Sequence, residues 1–162
     1  MQGLGARISR IGLNGGDALF WAGLPGYRAF QGGHEGWHAC LEAAFDDGVS
    51  DLVCYGASRP FHAQARALAR RRGVTVHTFE EGYLRPYWIT YERDGTNAES
   101  ALNALTIVNM RDALAAGGST PRPAPDAWGD MRQHIFWGAA YHAALIAGRR
   151  RYPLYSSHRT PE

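Results

Sequence analysis

Residues 51–79 restrict the fold more than any other part of the chain. Asp51-Leu-Val-Cys-Tyr55 is a short apolar run, bounded by the turn residues Gly56-Ala57-Ser58, and reads as a strand. Arg59-Pro60 then opens a helix, with proline in the first turn, where its missing N–H leaves no intrahelical bond unmade. The helix runs to about Arg72, and Gly73 supplies the usual C-terminal glycine. Residues 74–79, VTVHTF, form the next strand. A strand, a helix and a strand joined by short links make a βαβ unit, with parallel strands and a right-handed crossover. The expected class is α/β, with flanking helices on a parallel sheet.

The rest of the chain is read around this unit. Residues 7–13 place Ile8, Ile11 and Leu13 in a short strand, followed by the loop Asn14-Gly15-Gly16-Asp17. Residues 18–31 are an aromatic stretch broken by Gly and Pro, with no element assigned. Residues 35–47 read as a helix with Trp37, Leu41, Ala44 and Phe45 on one face. Residues 88–91 are a further short strand. Beyond Asn97 the pattern turns helical, with helices at 99–116 and 128–148 joined by a Pro/Gly linker. In the second helix, Ile135, Phe136, Tyr141 and Leu145 read as a packing face. The final stretch, RYPLYSSHRTPE, has no clear element. The division expected is therefore 1–97 as an α/β domain and 98–162 as a helical extension.

Composition excludes several classes. The formal net charge is +2, so no nucleic-acid partner is expected. The clusters Arg70–Arg72 and Arg149–Arg151 suit helix ends, where cations favour the dipole. Cys40 and Cys54 make neither a disulfide framework nor a metal cluster, and a reducing compartment fits. No window reaches the about 18 uninterrupted apolar residues of a membrane span. The start lacks a signal-peptide core. The expectation is a cytoplasmic protein able to lie against the inner-membrane surface.

In parallel α/β sheets, ligands bind beyond the carboxyl ends of the strands. Three loops leave such ends: Asn14–Asp17, Gly56–Pro60 and Glu80–Pro86. They concentrate Asp17, Ser58, Arg59, Glu80, Glu81 and Arg85. Glu80 and Glu81 follow the strand directly, and alternation sends their side chains in different directions. A carboxylate there suits glycosyl transfer, as base or as nucleophile. It suits equally a backbone cap or a pair with Arg85. Arg59 and Arg85 suit an anionic sugar or phosphate. His62, one turn into its helix, is placed to face the same cleft. His34-Glu35-Gly36-Trp37-His38 matches H-E-x-x-H, but Gly36 interrupts it and no third-ligand pattern follows, so no metal is expected.

Three segments resemble the capsule polysaccharide biosynthesis/export family, the S-type capsule proteins of Gram-negative bacteria. They are NGGDALFW at 14–21, YGASRPFHAQARALARRRGV at 55–74 and FEEGYLRPYWITYERDGTN at 79–97. The resemblance implies a β-Kdo glycosyltransferase, using CMP-Kdo as donor and a lipid-linked glycan as acceptor, beside other capsule assembly proteins. It implies Rossmann-like halves in a GT-B arrangement, with residues 1–97 as the acceptor side. Glu80 and Glu81 become the catalytic candidates by likeness to the acidic-acidic-Gly motif of bacterial sialyltransferases. Asn14, Gly15, Gly16, Asp17, Ser58, Arg59, His62, Gly82, Tyr83, Arg85 and Asn97 become substrate-binding candidates.

The departures from the family pattern matter. No His-Pro dipeptide, which holds CMP in such enzymes, occurs in the chain. Ala57 and Tyr87 stand where the family often has Asp. The expectation is a piece of a transferase, inactive alone and carrying an exposed apolar patch where its second half packs. The competing expectation is a non-catalytic accessory or remnant domain of the capsule export machinery.

Overall fold

The computed structural model describes residues 3, 5–57, 59–82, 88–118, 123 and 130–157. The elements run β1 (Arg10–Gly12), α1 (Gly15–Trp21), β2 (Tyr27–Ala29), α2 (His34–Asp46), β3 (Asp51–Tyr55), α3 (Pro60–Arg71), β4 (Thr75–Glu81), β5 (Ile89–Arg93), α4 (Ile107–Ala115), α5 (Met131–Ala147) and α6 (Pro153–Ser157). Two short 3-10 turns, Asn97–Glu99 and Ala101–Ala104, precede α4. The chain divides into two compact units, Met1–Cys40 with Trp128–Glu162, and Leu41–Ala127. That division differs from the break expected at residue 97. The C-terminal helix shares a unit with the N-terminal segment, because α5 packs on α1.

In the first unit, β1 pairs in parallel with β2, Arg10 lying opposite Tyr27 and Gly12 opposite Ala29. Neither β2 nor a helix beginning at Gly15 is visible in the sequence pattern. The helix forms because Asn14 caps it: the Asn14 side chain accepts from the Asp17 amide at 2.9 Å, and Asp17 Oδ2 accepts from the Leu13 amide at 2.8 Å. A methyl group on Gly15 would lie 2.0 Å from the Ala144 carbonyl oxygen, and one on Gly16 2.3 Å from the Tyr141 ring. The two glycines are what let α5 come this close. The face of α5 that packs includes Tyr141 and Leu145, as expected, but Ile135 and Phe136 are exposed. A straight helix turns those two away from the seam. The described part of the C-terminal stretch does form an element, α6, in which Leu154 and Tyr155 are buried, as is Tyr152 just before it.

In the second unit, the βαβ reading holds. β3 and β4 are parallel, with Val53 opposite His77 and Tyr55 opposite Phe79. Helix α3 buries Phe61, Ala65, Leu68 and Ala69, the spacing of one helical face, and it packs on β3 and β4. Cys54, Val76 and Thr78 are the buried strand residues. Burial pushes the Cys54 thiol up to about 11, in keeping with a core residue. The sheet is not wholly parallel, however. β5 returns antiparallel to β4, with Glu80 opposite Thr90 and Glu81 opposite Ile89. The Gly82 amide closes this hairpin by donating to the Trp88 carbonyl at 2.8 Å. A doubly wound sheet is covered on both faces. Here one face leaves Val53, Tyr55, Ile89 and Tyr91 exposed, Ile89 at 62%. That is an apolar patch of the kind expected from the sequence.

One arginine holds the second unit together. Arg66 is 1% exposed and grips Glu99 with two bonds, at 2.5 and 2.8 Å. The same guanidinium donates to the Asp94 carbonyl at 2.7 Å and the Ala57 carbonyl at 3.1 Å. It therefore ties α3, the turn after β3 and the loop after β5 into one piece. Asp94 and Asn97 in that loop both take positive φ, 68° and 54°, a conformation that needs external support.

Denaturation tests the arginine, and sedimentation tests the apolar sheet face. Arg66→Leu should lower unfolding stability in urea by about 2–3 kcal/mol, since two backbone carbonyls and a carboxylate lose their donor. Glu99→Gln should cost less, because the Glu99 side chain is 47% exposed and can rehydrate. Sedimentation velocity should show concentration-dependent association of the chain, reduced in a Val53→Lys, Ile89→Lys double variant.

Candidate functional site

The site centres on Glu80. The strand β4 is longer than its apolar pattern implies, so Glu80 and Glu81 are its last two residues rather than loop residues. Because they are consecutive, they point to opposite faces. Glu80 is half-buried on the side of the β3–α3 turn, and Glu81 is exposed on the other.

Among the described residues, two groups hold the Glu80 carboxylate. The Ala57 amide donates to Oε1 at 3.3 Å, and the Asn97 side-chain amide donates to Oε2. Each donor comes from a loop that Arg66 fixes, Ala57 through its carbonyl and Asn97 through the neighbouring Asp94 and Glu99. The arrangement is a carboxylate fixed in direction at the carboxyl end of a parallel strand.

His62 lies beside this corner. Its Nδ1 is 2.9 Å from the Gly56 carbonyl, so Nδ1 carries the proton and Nε2 is the acceptor nitrogen. Burial, opposed in part by that bond and helped by Arg59 and Arg66, lowers its pKa to about 4. At neutral pH it is an uncharged imidazole.

Of the other sequence candidates, Asn97 joins Glu80 directly. Gly82 closes the hairpin, where a methyl group would lie 2.4 Å from the Trp88 oxygen. Arg59 is the exposed residue at the N-cap of α3 and makes no side-chain cap bond. Ser58, Tyr83 and Arg85 lie outside the described residues, as does Tyr87. The Asn14–Asp17 motif sits in the first unit, where all four residues have structural work. Asn14 caps α1 and donates to the Tyr141 hydroxyl at 3.1 Å, and that hydroxyl donates to Asp17 at 3.4 Å. Burial raises the Asp17 pKa, against the pull of these bonds. His34 and Glu35 occupy the first turn of α2 and are exposed, as is His38.

Sequence reasoning missed Arg66 as the support of the corner. Its only signal was an arginine three residues before Ala69, at the edge of the apolar face of α3. It missed Tyr141 as a partner of the Asn14–Asp17 motif, because that bond spans 127 positions of sequence.

The fold and this corner define an α/β protein that presents a fixed carboxylate at a strand end. Residues 50–162 match the family described as capsule polysaccharide biosynthesis protein, and the chain belongs to that family. It is 30% identical over 162 residues to the capsule polysaccharide modification protein LipB of Neisseria meningitidis, serogroups A and B, covering 97% of this chain and 38% of that protein. It is 35% identical over 104 residues to the capsule polysaccharide export protein KpsS of Escherichia coli, covering 63% of this chain and 26% of that protein. The chain thus spans under two fifths of the length of these relatives. No solved structure matches it. No helix among the described residues is long and apolar enough to cross a membrane.

The histidine makes a pH prediction. Its folded pKa of about 4 lies below the ordinary 6.5, so between those values the unfolded chain binds more protons than the folded one. Stability from this group is full above pH 6.5 and falls as the pH drops towards 4. Urea midpoints across that range should fall by the equivalent of about 1–2 kcal/mol, discounted for partial exposure. His62→Gln, which does not titrate, should flatten that slope.

Proposed function

We propose that this chain is the acceptor-side part of a glycosyltransferase that adds β-Kdo from CMP-Kdo to a lipid-linked acceptor in capsule synthesis. The observation that carries the proposal is Glu80, held by the Ala57 amide and Asn97 at the carboxyl end of β4. A carboxylate so held suits an acceptor hydroxyl. It takes the hydroxyl proton as the oxygen bonds to the sugar carbon and CMP leaves with the electrons of the broken bond. The neutral His62 and the exposed Arg59 are the nearby groups for orienting an acidic sugar. Glu80 is favoured over Glu81 because its direction is set from two sides. The capsule membership supports the substrate class.

The relatives are more than twice as long, and the donor half of the transferase is assigned to the length that this chain does not cover. The chain alone is therefore expected to release no CMP from CMP-Kdo. Fused to the remaining length of the Neisseria relative, it should transfer Kdo to a phosphatidylglycerol-linked acceptor, read by mass spectrometry. In that fusion, Glu80→Gln should lower kcat by about 100-fold or more, and Glu81→Gln by much less. Full turnover by Glu80→Gln would overturn the catalytic role. It would favour the second reading, in which the two bonds of Glu80 serve only the fold and the domain is a non-catalytic member of the export machinery.

A further inference from the structure

A second candidate site lies wholly within the first unit. Helices α1 and α5 border an open groove of about 460 Å³, within the usual range for small-ligand sites. Its apolar wall is aromatic. Phe20 and Trp137 meet edge to face at 5.6 Å, and Tyr141 lies 6.3 Å from Phe20. Trp137 keeps 50% of its surface exposed and Phe20 44%, so both rings offer area to a ligand. The rim is polar, with Asp130, Gln133 and His134 near the start of α5.

Gly138 points to the same use. It lies on the groove inside α5, where a glycine costs roughly 0.5–1 kcal/mol relative to alanine. Among the described residues, nothing lies within 4 Å of where its Cβ would be. Neither a close helix nor a left-handed backbone requires this glycine. What it preserves is the open floor of the groove.

Aromatic faces beside planar hydrogen-bonding side chains match the chemistry of a sugar ring. Its C–H faces stack on the rings, and its hydroxyls donate to carboxylate and amide oxygens and accept from amide and imidazole N–H. Asp130 disfavours carboxylate- or phosphate-bearing residues. We infer that the α1–α5 groove, built on Phe20, Trp137 and Gly138, binds a neutral saccharide unit of a polysaccharide. The inference draws on capsule family membership and not on transfer at Glu80, so the two fail separately.

The test uses the whole chain, labelled with ¹⁵N, and follows the indole signal of Trp137. The probes are maltotetraose, cellotetraose and chitotetraose as neutral oligosaccharides, tetragalacturonic acid as an acidic one and hexanol as an apolar one. At least one neutral tetramer should shift the signal. Gly138→Leu should weaken that binding by about tenfold or more while leaving the melting temperature equal or higher, because leucine fills the floor and favours the helix. Phe20→Ala should weaken it similarly. No shift with any neutral tetramer, equal binding of the acidic tetramer, displacement by hexanol or unchanged binding in Gly138→Leu would each overturn the inference.

Discussion

Arg66 sets the geometry on which the rest of the second unit depends. A guanidinium holds its donors in a fixed plane, and here those on Nη1 and Nη2 reach Glu99, the Asp94 carbonyl and the Ala57 carbonyl at once. Its burial would be costly without such partners. With them, one side chain on α3 fixes two loops that share little else. Those loops supply the Ala57 amide and the Asn97 side chain, which in turn fix Glu80. The strand sets the face that the carboxylate takes, and the ion pair on the helix fixes the loops that hold it there.

The family-like motifs divide into two kinds. Asn14-Gly15-Gly16-Asp17 is explained by capping and close packing: the side chains satisfy backbone amides, and the glycines admit α5. Gly82 is explained by its contact with the Trp88 carbonyl. Glu80 differs, because a half-buried carboxylate facing two donors is neither needed to form β4 nor to close the hairpin. A motif can mark a fold or a reaction, and contact geometry separates the two. By that measure the candidate site, among the described residues, keeps one carboxylate, one amide side chain, one neutral imidazole and an arginine at a helix start.

The open sheet face and the α1–α5 groove differ in character. Val53, Tyr55, Ile89 and Tyr91 present apolar area that a doubly wound sheet covers with helices. The aromatic groove on α1 and α5 has another character, with a polar rim and a glycine floor. The first is the chemistry of a packing surface and the second that of a ligand surface, although both are exposed aromatic area.

The βαβ unit, the helix at α2, the pairing of Glu80 and Glu81 on opposite faces and the capsule family were all legible in the sequence. These rest on local periods of two and 3.6 residues, on proline and glycine punctuation, and on contiguous motifs. The antiparallel return of β5 was not legible, because four or five extended residues carry no sign of direction. Helix α1 was hidden because its start depends on a cap and its packing on Ala144 and Tyr141, far along the chain. The grouping of α5 with the N-terminal segment was hidden for the same reason. Sequence placed Glu80 at the end of a strand. Only the tertiary structure decided which way it faces and what holds it, because Arg66, Asp94, Glu99 and Asn97 reach it through contacts that no local pattern encodes.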